Sequence, residues 1–300
     1  MLVNLPRGVN SWVTYLDHAQ VPVLRGTVAE LARFQENEDN LNGRELSGAI
    51  LHDPLMTLKV LRYLHSHHSR KQTNEITTIA RAVMMVGTTP FFNHFVNQPL
   101  IEETLADYPQ ALGGVMRVMS RARHAALYVR DWSVLRHDIE SDEVTIAALL
   151  RDLAEMLLWC CAPQPMLEIS RLLHHDRTLR SATAQQQVLG FALGELQLAL
   201  AREWHLPTLL QSLMDPAQAD QPRTRSVALA VALARHSANG WFDAALPDDY
   251  AAIQKLLNLP PEEIAQRIQR ITLQAAHEWE WYGVPPAAAW LPMLPGAWPD

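Results

Sequence analysis

Apolar residues recur along most of the chain at helical spacing, most densely between Ile146 and Trp159. Ile146, Leu149, Leu150, Leu153, Leu157 and Cys160 make one stripe, while Ala147, Ala148, Met156, Leu158 and Trp159 fill most of the opposite side. A helix that is apolar nearly all round belongs in a protein interior. Its exceptions are Arg151, Asp152 and Glu155. If buried, such groups need partners or a function.

The same periodicity predicts further helices. Pro22 to Phe34 opens with a turn and continues as a short amphipathic helix; Gln35 to Asn40 reads as a loop; Gly43 to His52 reads as a second helix. Asp53-Pro54 starts a third, since Asp accepts hydrogen bonds from free N–H groups and Pro suits the first helical turn. Thr77 or Thr78 caps a fourth that ends at Gly87, and Thr89-Pro90 starts a fifth. Longer helices are expected over Val115–Asp131, Asp142–Ala162, Met166–His175, Ala184–Trp204, Ser226–Ser237 and Pro261–Trp281, with a polar loop at Asp215–Pro222. No alternating β-branched run bounded by turn residues occurs, so the expected fold class is all-α.

Composition narrows the class. With 48% hydrophobic and 19% charged residues the 300-residue chain is globular, and it is long enough to bury about three quarters of its unfolded surface. A formal charge of −7 argues against binding nucleic acid through a broad basic face. No apolar run reaches membrane-spanning length, and Met1 is not followed by a basic leader with a continuous apolar region. The two cysteines, Cys160 and Cys161, are adjacent on the apolar helix and point in different directions, which suits free thiols in a reducing cytoplasm.

Several short patterns, in order, resemble one family. Glu45-Leu46, Ile50, Asp53-Pro54, Leu55, Lys59 to Arg62, Ser66, Ile76 to Ile79, Ala82-Val83 and Val86-Gly87 resemble the N-terminal half of the HDOD family, the HD-related output domain. Gly190-Phe191, Glu195, Trp204 and Leu206-Pro207 resemble that family's later Leu-Gly-Phe and Trp-Gly-Leu-Pro segment. The resemblance implies one HDOD-type domain over residues 1–300, with an N-terminal helical lobe (15–105), an HD-like lobe (106–282) and an apolar tail (283–300).

The apolar helix itself resembles the one that carries a His-Asp metal-binding pair in HD phosphohydrolases. Here the pair is Arg151-Asp152, and a guanidinium has no lone pair to offer a cation. The other ligand positions fall at Met119 and Val231. Of this vestigial pocket only Asp152 could bind metal, so the resemblance implies no metal, no cofactor and no catalysis. Arg151 is expected to fill the former metal space by pairing with Asp152 or Glu155. The literal His-Asp pairs at His52-Asp53, His137-Asp138 and His175-Asp176 are explained by capping, a polar connection and a helix end.

His65, His67 and His68 sit beside Arg70 and Lys71, in a spacing poor for metal; Arg62, His65 and Ser66 are candidate contacts for a partner or small ligand. Gly113-Gly114 reads as a helix start without a phosphate-binding pattern. The implied function is signal transduction or regulation in a bacterial cytoplasm, through contacts with an unknown protein partner and with no membrane. The alternatives are a nucleotide phosphohydrolase with relocated ligands and a nucleotide or anion sensor using Arg151. Finally, Trp279, Trp281, Trp290 and Trp298 crowd the end of the chain, and its prolines predict an extended strap docked on the HD-like lobe.

Overall fold

The computed structural model describes residues 5–37, 41–67, 77–138, 140–176 and 178–291, with the backbone only for His67. Ile76, His68, Arg70, Lys71 and the tail from Pro292 through Trp298 therefore lie outside the described residues. The chain is all-α, as its periodicity predicts: among the described residues the only extended pairing is an isolated parallel bridge between Val23 and Leu100.

The first seven helices are α1 (Val9–Asp17), α2 (Arg25–Glu36), α3 (Gly43–Ile50), α4 (Pro54–His67), α5 (Ile79–Val86), α6 (Thr88–Phe95) and α7 (Ile101–Thr104). Then come α8 (Pro109–Leu135), α9 (Ser141–Leu149), α10 (Leu153–Cys161), α11 (Pro163–His175), α12 (Ser181–Leu189) and α13 (Leu193–Glu203). The last are α14 (Thr208–Met214), α15 (Pro222–Ser237), α16 (Leu246–Leu257) and α17 (Pro261–His277). Helices α2 to α6 pack among themselves, whereas α1 packs on α13 far along the chain. The 27-residue α8 is the hub, touching α4, α9, α10, α11, α15 and α17.

Local chemistry explains the first boundaries. Asp53 Oδ1 accepts from the backbone N–H groups of Leu55 (2.9 Å) and Met56 (3.0 Å), which caps α4. Its other oxygen accepts from Leu24 N–H at 2.7 Å, just ahead of α2, so one fully buried carboxylate joins two helix starts. Burial pushes the Asp53 carboxyl up to about 6, against the three N–H donors that pull it down. Thr78 caps α5, and Gly87 at φ +80 ends it in a conformation that glycine tolerates. Gly87 also serves as the N-cap of α6, so that helix begins ahead of Thr89-Pro90.

Three expected elements differ. The apolar helix is broken: α9 stops at Leu149 and α10 starts at Leu153, with Arg151-Asp152 in the turn. Gln197 of α13, wholly buried, closes the gap: its Oε1 accepts from Ala154 N–H and its Nε2 donates to Leu150 O, both at 2.9 Å. The expected helix Ala184–Trp204 is likewise two, because Gly190 turns left-handed at φ +82 and Glu195 captures the Ala192 N–H at 2.9 Å. Gly113-Gly114 lies inside α8 and not at its start. A Cβ on Gly114 would fall 2.8 Å from the Trp159 ring, so this glycine permits α10 to lie against α8.

The end of α17 returns to the α3–α4 junction. Arg123 of α8 donates to Glu278 from Nε (2.7 Å) and Nη2 (2.9 Å). The Trp281 ring stacks on His52 at 4.4 Å, and Tyr282 Oη donates to His52 O at 2.7 Å. Beyond it, Trp241 Nε1 donates to Ala287 O at 3.0 Å and Ala287–Trp290 forms a 3-10 turn against α17. The described part of the strap is thus docked, although Trp279 and Trp290 remain exposed.

Two outcomes test this scaffold. Asp53→Ala removes a cap and leaves buried N–H groups unpaired; it is expected to cost about 3–5 kcal/mol in denaturant unfolding. A loss under about 1 kcal/mol would show that the carboxylate does not join the helices. Glu278 supplies a pH test. Burial alone would raise its carboxyl, but the hydrogen bonds and charges of Arg123 and His52 outweigh burial and hold it at about 2 against the ordinary 4.5. A depressed carboxyl stabilises the fold above its unfolded value, here by about 3 kcal/mol, and the contribution is lost as pH falls from 4.5 through about 2. The stability gap between the native chain and Glu278→Gln should therefore be widest near neutrality and close in acid.

Candidate functional site

Around the turn that splits α9 from α10, the expected residues are placed very differently. Met119 is fully buried in the core of α8, and Val231 of α15 is half-buried. Asp152 precedes α10, and Glu155 follows one turn later on the same side. The cation that joins them is not Arg151. Arg121, on the α8 face opposite, donates from Nη2 to Asp152 Oδ2 at 3.0 Å and to Glu155 Oε2 at 2.9 Å. All three side chains are largely buried. Burial alone would lower the Arg121 pKa, but the charges of Glu155 and Asp152 raise it, so the guanidinium stays protonated. Burial pushes the Glu155 carboxyl up, opposed by Arg121.

The expected pairing of Arg151 is therefore corrected. Arg151 forms no ion pair among the described residues; burial lowers its pKa, with Asp152 and Asp215 near enough to raise it and Arg235 near enough to lower it. The helical break explains this: in an unbroken helix Arg151 and Glu155 would share a face, whereas at the turn Arg151 comes within electrostatic range of Asp215 and of Arg235 on α15. Arg121 escaped the sequence reading, although a signal existed. Arg121, Arg123 and His124 are closely spaced polar interruptions of a buried helix, as Arg151, Asp152 and Glu155 are of the other apolar stretch.

This site does not suit the divalent metal of the HD phosphohydrolases. Asp152, the one carboxylate that the sequence resemblance offers as a ligand, already faces a permanent cation. Among the described residues no three of His, Cys, Asp or Glu gather where they could hold a metal ion. Nearby His124 is fully buried, kept neutral by a pKa that burial lowers to about 3, with Nε2 3.3 Å from Thr272 Oγ1. A cavity of about 300 Å³ opens beside the clamp. Arg117, Ser120, Arg121, Glu155, Trp159 and Asn239 line it, and Val284 and Pro285 of the strap flank it. Met119, Arg151, Asp152 and Val231 do not line it.

The second candidate group lies where α4 meets the end of α13. Arg62 Nη2 pairs with Asp17 Oδ1 at 2.9 Å, and its guanidinium sits 4.2 Å over the Trp204 ring. Trp204 Nε1 donates to the same Asp17 oxygen at 2.7 Å. His65 stacks on His205 at 4.9 Å, while the Ser66 hydroxyl donates to Tyr63 O at 2.8 Å. His205 stands in the glycine position of the family's Trp-Gly-Leu-Pro pattern and keeps a left-handed backbone, φ +49. The structure thus brings Arg62 and His65 to one junction, with Ser66 held on its own helix.

Residues 21–219 match the HDOD domain, and the chain belongs to that family. Its fold is similar to that of the MmoQ response regulator from Methylococcus capsulatus str. Bath, with 18% identity, 84% of this chain and 98% of that chain covered, and TM-score 0.63. It is similar also to a virulence factor from Campylobacter jejuni subsp. jejuni (21% identity, 94% and 96% covered, TM-score 0.59). A third is an HDOD domain protein with unknown function from Geobacter sulfurreducens (14% identity, 92% and 100% covered, TM-score 0.50). At these identities the likeness is one of fold. No curated protein matches the chain.

The clamp yields a comparison of two arginines. Arg121→Met leaves two carboxylates facing each other in a largely buried site, and the expected loss is on the order of 3–5 kcal/mol. Arg151→Ala breaks no ion pair and should cost about 1 kcal/mol. Thermal melts of both variants decide it; the reverse order would mean that Arg151 balances the carboxylates.

Proposed function

We propose that the chain is a non-catalytic regulatory protein of a signalling system, acting inside the cell through contacts with another protein. The observation that carries the reading is the Arg121 clamp. A guanidinium between Asp152 and Glu155 satisfies the carboxylates electrostatically, but it cannot activate water as a Lewis-acidic metal does. Membership of the HDOD family, and a fold shared with a protein named as a response regulator, support a signalling association. Two free cysteines suit a reducing compartment, and no helix among the described residues is long and apolar enough to cross a membrane. The Arg62–Trp204–Asp17 and His65–His205 pairs give α4 and α13 a defined shared surface for a protein partner.

A hydrolase with relocated ligands is the rival, and it makes a different prediction. Purified chain incubated with nucleotides and added Mn²⁺, Fe²⁺ or Mg²⁺ should release product no faster than a protein-free blank. Turnover above that blank which disappears in Asp152→Asn would overturn the non-catalytic reading. A melting temperature raised by a nucleotide without turnover, and lost in Arg151→Ala, would instead identify an anion sensor.

A further inference from the structure

An apolar groove on the far side of the C-terminal helices is used by none of the sites described above. The loop after α15, helix α16 and helix α17 enclose about 580 Å³. Trp241, Phe242, Leu246, Tyr250, Ile268 and Leu291 supply its apolar walls, and Asp243 is the only charged residue lining it among the described residues. Phe242 is 88% exposed and the neighbouring Trp290 50% exposed. Aromatic surface of this kind beside a concave apolar wall favours an apolar occupant.

We propose that this groove seats the chain's own C-terminal segment, residues 292–300. Leu291, which forms one wall, is the residue from which that segment departs. The nine residues beyond it reach about 30 Å when extended, enough to cover the groove. They include Met293, Leu294 and Trp298, and their only charged side chain is Asp300. A mostly uncharged segment matches a mostly uncharged groove. Pro292 and Pro295 lack N–H groups, so burying their backbone leaves fewer donors unpaired, and they favour the extended path that a groove accepts. The preceding strap is already anchored by the Trp241–Ala287 hydrogen bond, which fixes where the segment starts. Tethering at that point presents it at a local concentration of order millimolar, which an untethered partner has to exceed. Docking driven by apolar contact should also be insensitive to salt, unlike a contact between charges.

Fluorine NMR of the full chain labelled with 5-fluorotryptophan reads the segment directly, with the Trp298 resonance assigned by Trp298→Phe. In the native chain Trp298 should be shielded, with a small solvent-isotope shift that does not change with protein concentration. Ala265 lines the groove from an exposed position on α17, so Ala265→Trp fills the groove without disturbing the core. Phe242→Glu changes the rim at a residue that is almost wholly exposed. In both variants the Trp298 signal should move to the solvent-exposed value while the melting temperature of the helical core is retained. A solvent-exposed Trp298 in the native chain would overturn the proposal and leave the groove to a separate partner. Shielding untouched by both variants would place the segment elsewhere. Shielding that grows with protein concentration would make the occupant the segment of a second copy.

Discussion

A long helix buried along most of its length has to find a partner for every charge it buries, and that requirement on α8 organises the rest of the molecule. Arg121 reaches Asp152 and Glu155 across the turn before α10, and so sets how α10 meets α8. Arg123 reaches Glu278 and brings the end of α17 to the α3–α4 junction. His124 meets the same constraint by staying neutral, within reach of a threonine hydroxyl that also bonds Tyr128. Unpaired, any of these cations would be expensive in the interior. Paired, each joins elements far apart in the chain.

Asp53 applies the same logic with the opposite sign. Its carboxylate is surrounded by backbone donors, two from α4 and one from the residue ahead of α2. Just beside it, Val23 N–H donates to Pro99 O and Ile101 N–H donates to Val23 O, both at 2.9 Å, so the chain before α7 is tied to the same place. The N-terminal helices are thus assembled around backbone groups that a helix cannot satisfy internally. Around α8 the unsatisfied groups are side-chain charges.

The Arg121 clamp supplies, from within the chain, the cation that its two carboxylates need. The guanidinium that lies between Asp152 and Glu155 is covalently part of α8. It balances charge without offering an open coordination position or a bound water. The packing of α10 on α8 rests on that charge balance and on the close approach of Trp159 to Gly114.

What the sequence determined by itself was carried by neighbours along the chain, although the equally local break at Gly190 escaped it. Helical periodicity set the fold class, Asp53 and the Thr77-Thr78 pair marked helix starts, and Gly87 marked an end, since capping needs only groups a few residues apart. The unsuitability of Met119, Arg151 and Val231 as ligands was also legible, being a property of residue type. Only the tertiary structure decided which cation met Asp152 and Glu155, because Arg121 lies 31 and 34 positions away from them. It alone decided that the apolar helix breaks at Arg151-Asp152, since the groups freed there are satisfied by Gln197 of another helix. Periodicity reports which face of a segment is apolar. It does not report which distant side chain makes an interruption tolerable, because that depends on where folding brings the other helices.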